Sequence, residues 1–224
     1  MKKHHVSIIL VSFFILAGAA FSFYYYYAGK SKPPEKIAIV KNNYGQPRTV
    51  RPFSFINQDG DTITQEDIKN KIAVVEYFFT TCKGICPKMN ENMNKVYQAF
   101  RNNDDVVILS HTVDPEHDTV AAMKAYSMRF DADPKHWMFL TGDKQALYDQ
   151  ARNSYLISAV NNNDKVPDIG EDFIHSNIFA LVDKEGRLRM HKDKNGNPET
   201  YDGTSEQSVA QLIKDIKTLE KETD

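Results

Sequence analysis

This 224-residue sequence lacks basic clusters, RNA-binding motifs, phosphate-binding glycine loops, internal repeats and low-complexity stretches, and it has only two cysteines. Without clustered lysines and arginines, the chain lacks the positive charge that provides most of the affinity for a nucleic-acid phosphate backbone. Its 41% hydrophobic and 26% charged residues are ordinary for a globular protein and argue against a disordered or fibrous one. We therefore expect one compact domain and no nucleic-acid partner.

The first 32 residues differ from the rest of the chain. They contain four lysines and no acid, so the remaining 192 residues carry a net charge of −6. Residues 6–28 have no formal charge and are rich in Ile, Leu, Phe and Ala, and about 20 such residues suffice to cross a bilayer as a helix. Tyr24 to Tyr27 close the segment, as aromatic rings do at a membrane interface. We predict a membrane anchor, an N-terminal transmembrane helix, over residues 1–29.

A cleaved signal peptide is the alternative, because Lys2 and Lys3 form a typical start and Ala17-Gly18-Ala19 could serve as a cleavage site. The apolar run continues past Ala20, which favours an uncleaved anchor. Lysines on both sides nearly balance the positive-inside rule. A short stub, one span and one large domain suit export of that domain. We expect it outside the cytoplasm, on the periplasmic side in a bacterium.

The rest of the chain divides into a tether over residues 30–50, which is interrupted by prolines, and a single domain over residues 51–224. Asp59-Gly60 predicts the turn of a hairpin over residues 53–64. Strands are predicted at 72–79, 106–109, 136–140, 156–160, 178–182 and 187–191, and helices at 89–100, at 119–130, at 143–155 and at 205–220. This alternation predicts an α/β fold, a mixed sheet flanked by helices on both faces.

Cys82 and Cys86 lie four residues apart, directly after the apolar run at 72–79 and before a helical pattern. The N-terminus of a helix supplies unpaired N–H groups and a positive dipole end, which lower the pKa of a thiol. In a first helical turn, residues i and i+4 share a face about 5 to 6 Å apart. The spacing therefore permits both capture of a soft metal ion and reversible oxidation.

Plainer interpretations exist for these and other residues. A structural disulfide would suit an exported domain, but a bridge around three residues constrains little of the unfolded chain. Met89 and Met93 have the spacing of a helix face packed into a core, which we favour over metal ligation. Asp114, Glu116 and Asp118 are typical of a turn and a helix cap, with a role in docking or in shaping the site left open.

Three segments of the sequence resemble the Sco/SenC family. They are Tyr77-Phe78-Phe79-Thr80-Thr81-Cys82-Lys83-Gly84-Ile85-Cys86-Pro87, Val113-Asp114-Pro115-Glu116-His117-Asp118-Thr119, and His175-Ser176 ahead of a predicted strand. Tyr201-Asp202-Gly203-Thr204 before the last helix extends the likeness. The resemblance implies a thioredoxin-like fold with an N-terminal membrane anchor.

The same resemblance implies that Cys82, Cys86 and His175 bind a copper ion through two sulfurs and one imidazole nitrogen, a ligand set suited to copper. It implies a membrane-anchored chaperone that delivers copper to the binuclear copper site of cytochrome c oxidase. The oxidase subunit that carries this site would be its partner, and other copper or thiol-redox proteins are further candidates. Taken alone, His175 would more often be a packed or capping histidine than a ligand.

An enzymatic function stays open as the alternative. Cys82 and Cys86 would then form the redox pair of a thiol–disulfide oxidoreductase that acts on cysteines of an exported partner. Their C-x-x-x-C spacing differs from the C-x-x-C of thioredoxins. Peroxide reduction is less favoured, because the sequence has no specific peroxidase signature.

Overall fold

The computed structural model describes residues 2–28, 37–157 and 176–222 and divides the chain into two compact units, Met1–Lys36 and Ile37–Asp224. The first unit contains helix α1, Lys2–Ala28. Among the described residues, no helix combines the length and the hydropathy that a bilayer crossing requires. The transmembrane helix predicted over residues 1–29 is therefore not found there.

The second unit is built around a mixed sheet. Its elements are β1 (Ala38–Ile39), β2 (Ser54–Ile56), β3 (Thr62–Thr64), β4 (Ile72–Phe78), α2 (Cys86–Phe100), β5 (Val106–Thr112), α3 (Val120–Ser127), β6 (Trp137–Leu140), α4 (Lys144–Gln150), β7 (Ile178–Val182), β8 (Leu188–Lys192), β9 (Pro198–Glu199), β10 (Tyr201–Asp202) and α5 (Glu206–Leu219). A short 3-10 helix, Met128–Phe130, follows α3, and a π-helical turn, Ala151–Tyr155, follows α4.

Within the described residues, the main sheet has eight strands in the order β1-β8-β7-β4-β5-β6, with β9 on β8 and β10 on β7. Strand β4 pairs with β5 in parallel and with β7 in antiparallel fashion, and β5 pairs with β6 in parallel. The central position predicted for residues 72–79 is confirmed. Strands β2 and β3 form the predicted hairpin, whose Gly60 has a φ of 87°. Strand β1 lies within residues 30–50, where the sequence predicts a tether.

Both faces of the central sheet are buried, which explains why β4 is apolar almost throughout. Ile72, Val74 and Phe78 pack into one core with residues of α2, α3 and α5. Ala73 and Tyr77 pack into a second core with residues of β2, β3 and α4. Every residue of β4 is buried. The predicted α/β fold, a mixed sheet flanked by helices, is confirmed.

Two local predictions need correction. Residues 156–160 were expected to form a strand, but Leu156 ends the π-helical turn with a φ of 56°, and Ile157 continues without strand pairing. The remainder of that segment lies outside the described residues. Thr119, and not Asp118, caps α3, because the Thr119 side chain accepts a hydrogen bond from Ala122 N.

Candidate metal and redox site

The two cysteines lie where the chain passes from β4 into α2. Cys86 is the first residue of α2, and Cys82 lies in the preceding loop, where its backbone N–H donates to Phe79 O at 3.2 Å. Pro87 occupies the first turn of α2, where a missing N–H is tolerated. Both cysteines are free thiols. The prediction that they lie between a buried strand and a helix is confirmed, although Cys82 precedes the first helical turn.

Burial dominates the electrostatics of Cys86. Its side chain packs into the core on the α2 side of the sheet and is 4% exposed. This burial, followed by a hydrogen bond with the Cys82 thiol, raises the pKa of the Cys86 thiol to about 12. We expected the helix N-terminus to lower the pKa of the thiols, and for Cys86 that expectation is wrong because desolvation of the thiolate outweighs the helix dipole.

Glu76 is a buried acid close to the cysteines that the sequence reasoning missed. It lies on β4 with no exposed surface, and its Oε1 accepts a hydrogen bond from Ser110 Oγ at 2.6 Å. Burial raises the pKa of Glu76 to about 7. Its charge also contributes to the raised pKa of Cys86. The available signal was a single acid within an otherwise apolar run predicted to be buried on both faces.

Asp118 joins the cysteine loop to the neighbouring strand. Its side chain is 1% exposed, and its carboxylate accepts hydrogen bonds from Thr80 N at 3.1 Å, from Thr80 Oγ1, and from Thr112 Oγ1 at 2.5 Å. The other two acids of the same turn form surface pairs. Asp114 contacts His117 Nδ1 at 2.9 Å, and Glu116 accepts from Lys144 Nζ at 3.3 Å.

The third expected ligand, His175, lies outside the described residues, so its proximity to the sulfurs stays a prediction. The chain is described again from Ser176, and the next residue is anchored. Asn177 O accepts from Gly203 N at 2.6 Å, and Gly203 O accepts from Asn92 Nδ2 at 2.8 Å. Asn92 belongs to α2, so two hydrogen bonds connect the residues after position 175 to the helix that Cys86 begins.

The described part of the chain contains no group of three or more His, Cys, Asp or Glu residues arranged to hold a metal ion. Met89 and Met93 are fully buried in the core next to Cys86, which agrees with the packing role predicted for them.

Comparison with known proteins gives one consistent family. The model of the SCO1/SenC family matches residues 41–210. The SCO1 protein homolog of Bacillus subtilis is 32% identical over 171 residues, which cover 75% of this chain and 81% of that protein.

Solved structures show the same relationship. A SCO1/SenC family lipoprotein from Bacillus anthracis has a TM-score of 0.64 and 28% identity, with 82% of this chain and all of that chain covered. BsSco, a Sco-family cytochrome c oxidase assembly protein with an identified disulfide switch, has a TM-score of 0.60 and 28% identity, with 80% and 96% covered. Copper-bound ScoI from Bradyrhizobium japonicum shares the fold, with a TM-score of 0.53, 24% identity, and 74% and 98% covered. These likenesses confirm the thioredoxin-like fold.

Proposed function

This chain belongs to the SCO1/SenC family, and from that membership we propose that it is a copper chaperone for cytochrome c oxidase. Copper is its cargo. Cys82, Cys86 and His175 hold the ion, and the chaperone passes it by ligand exchange to the binuclear copper site of the oxidase. The observation that carries this proposal is the pair of free, hydrogen-bonded thiols at the start of α2 in a chain of this family.

The donor chemistry of the two cysteines supports copper over other metals. Thiolates are soft ligands that favour Cu(I), and one added imidazole gives a three-ligand set that copper accepts. A structural zinc site would normally take four protein ligands. Because Cys82 lies in a loop and is partly exposed, an incoming ligand from a recipient protein can approach it, which ligand exchange requires.

The hydrogen bonds that follow position 175 support His175 as the third ligand. Asn92 lies six residues beyond Cys86 in α2, about 9 Å along the helix axis. The bonds through Gly203 attach Asn177 to this part of the helix. Only Ser176 separates Asn177 from His175, so a short length of chain would bring the imidazole to the sulfurs.

Copper binding by single variants tests the ligand set. Cys82→Ser, Cys86→Ser and His175→Ala should each weaken Cu(I) affinity by at least tenfold in an anaerobic competition assay with a chromophoric chelator. His117→Ala is the matched control, because this exposed histidine pairs with Asp114 on the surface. Undiminished affinity in all three ligand variants would contradict the proposal.

Delivery to the oxidase needs a cellular test. A strain that lacks the gene should lose cytochrome c oxidase activity, and the wild-type gene should restore it while the Cys86→Ser gene does not. Loss of the gene without any change in oxidase activity or in its copper content would count against the proposed recipient.

Attachment of the domain to a membrane, outside the cytoplasm, is part of the proposal. The uncharged, apolar residues 6–28 support it, and so does the similarity to a family lipoprotein from Bacillus anthracis. Carbonate extraction of membranes should leave the full chain in the pellet, whereas a chain that begins at Ile37 should appear in the supernatant. Complete release of the full chain would contradict this part.

A thiol–disulfide oxidoreductase is the second candidate, and the contact between the two free thiols favours it. A dithiol so arranged can reduce a disulfide of a partner and close its own bridge. His175 separates the two functions. Two results together would favour the oxidoreductase. His175→Ala would reduce a disulfide substrate at the wild-type rate, and the wild-type protein would bind copper no more tightly than a cysteine variant does.

A further inference from the structure

The side chain of Asp118 connects two segments that the sheet itself does not hold together. Strand β4 ends at Phe78, which pairs with Thr112 at the end of β5. Beyond Phe78 the chain leaves the sheet and forms the loop that contains Cys82. Besides the contact between the Cys82 and Cys86 thiols, the Asp118 carboxylate joins this loop to another part of the chain by accepting hydrogen bonds from Thr80.

The Asp118 carboxylate is fully used in this connection. Thr112 Oγ1 donates to Oδ2 at 2.5 Å and fixes the carboxylate to β5, while Thr80 donates to it through both its backbone N–H and its hydroxyl. The Asp118 backbone N–H is engaged separately, with Asp114 O at 2.8 Å. A buried carboxylate is costly unless it is hydrogen-bonded, so these contacts stabilise a single position of Thr80.

Thr80 in turn determines where Cys82 lies. The Cys82 backbone N–H donates to Phe79 O, so residues 79–82 form a tight turn in which Thr80 is an internal residue. When Asp118 holds Thr80, it also holds the turn. The Cys82 thiol is then kept within hydrogen-bonding reach of the Cys86 thiol, which is itself fixed by burial at the start of α2.

We propose that Asp118 is a positioning residue for the Cys82–Cys86 pair: it raises the effective concentration of one thiol at the other. It thereby favours the internal disulfide and a metal ion shared by both sulfurs. The inference rests on the proposed function only in taking Cys82 and Cys86 as the working pair.

The thiol–disulfide equilibrium measures this positioning without copper. The full chain is equilibrated with mixtures of reduced and oxidised glutathione at fixed pH, and free thiols are alkylated and counted by mass spectrometry. In the reaction, both thiols of the pair are oxidised to one disulfide, and glutathione disulfide accepts the two electrons and two protons and becomes two glutathione thiols. A failure of copper binding would leave this result standing, so the two proposals fail separately.

Four variants give the proposal its test. Asp118→Ala should lower the equilibrium constant for disulfide formation by about tenfold, which corresponds to about 30 mV for a two-electron couple. Asp118→Asn should stay within about threefold of wild type, because the amide keeps the shape and one oxygen that accepts from Thr80, while its Nδ2 has to donate to the Thr112 hydroxyl where the carboxylate accepted from it. Thr80→Val should lower the same equilibrium constant several-fold because it removes the hydroxyl that donates to Asp118. Thr80→Ser should have the wild-type constant because it keeps the hydroxyl.

Asp67→Ala is the matched control. Asp67 accepts from Thr64 N at 2.7 Å and from Thr64 Oγ1 at 2.9 Å, the same two contacts, just ahead of β4 and far along the strand from Cys82. Its disulfide equilibrium should equal that of wild type. Equal constants for Asp118→Ala and Asp67→Ala would overturn the proposal. If Asp118→Ala does not fold, a wild-type constant for Thr80→Val would overturn it.

Discussion

His111 and Glu76, two buried titratable residues on adjacent central strands, should oppose each other in the pH dependence of stability. His111 has no exposed surface and stacks on the Tyr77 ring at a centroid distance of 4.8 Å. Burial lowers the pKa of His111 from 6.5 to about 3. Burial raises the pKa of Glu76 from 4.5 to about 7, and the hydrogen bond from Ser110 offsets only part of that rise.

The sign of each contribution follows from linkage between protonation and unfolding. The folded pKa of His111 lies below its unfolded value, so its contribution is present above pH 6.5 and is lost as the pH falls toward 3. The folded pKa of Glu76 lies above its unfolded value, so its contribution is present below pH 4.5 and is lost as the pH rises through 7. When the pH falls from 7.5 to 5, the His111 contribution should lower the free energy of unfolding by about 2 kcal/mol. The Glu76 contribution should raise it by about 2 kcal/mol.

Single substitutions should reveal the separate contributions of His111 and Glu76 to the pH dependence of stability. His111→Phe keeps an aromatic ring among its aromatic neighbours, and Glu76→Gln keeps an acceptor for Ser110. Urea unfolding of a chain that begins at Ile37, at pH 7.5 and pH 5, gives the free energy of unfolding of each variant relative to wild type. When the pH falls from 7.5 to 5, the free energy of unfolding of His111→Phe should rise by about 2 kcal/mol relative to wild type. That of Glu76→Gln should fall by about 2 kcal/mol relative to wild type. Differences from wild type that do not change with pH would refute the reasoning.

Two further predictions concern packing and a buried ion pair. A Cβ on Gly203 would lie 2.5 Å from the ring of Phe179, which is 1% exposed. Gly203→Ala should therefore lower the free energy of unfolding by about 1–3 kcal/mol. An unchanged urea midpoint would contradict this and show that the ring can move. Arg189 is buried and donates to Asp183 Oδ2 at 2.8 Å. Arg189→Ala should lower the free energy of unfolding by about 3–5 kcal/mol, because it leaves that buried carboxylate without this partner. Lys69→Ala, which removes one side of an exposed ion pair, should lower it by less than about 1 kcal/mol. Equal costs for the two variants would contradict this argument.

Much of the central sheet could be predicted from the sequence, because continuous apolar runs specify strands that are buried on both faces. Residues 72–79 and 178–182 are of this kind, and Ser205 marks the start of α5 as an N-cap. Short elements were harder. Strand β1 has two residues, and its pairing with β8 depends on a partner more than 140 positions away, which no local pattern records.

The candidate site was predictable in position but not in its electrostatics. The junction of strand and helix located Cys86, yet the sequence could not show that this thiol points into the core, where burial outweighs the helix dipole. Asp118 was interpreted as a cap because it stands next to a helix start. Its bonds to Thr80 and Thr112 bring together residues up to 38 positions apart, and only the parallel pairing of β4 with β5 creates them.

X-ray absorption at the copper edge, recorded anaerobically on a copper-loaded chain that begins at Ile37, counts the sulfur and nitrogen ligands of the bound ion. We expect one copper ion per chain with two sulfur ligands and one nitrogen ligand of imidazole type. Substitution of His175 by Ala should remove the imidazole signal and leave both sulfurs. A spectrum with no sulfur ligands, or an imidazole signal that persists in His175→Ala, would contradict the assignment of Cys82, Cys86 and His175 as the copper site.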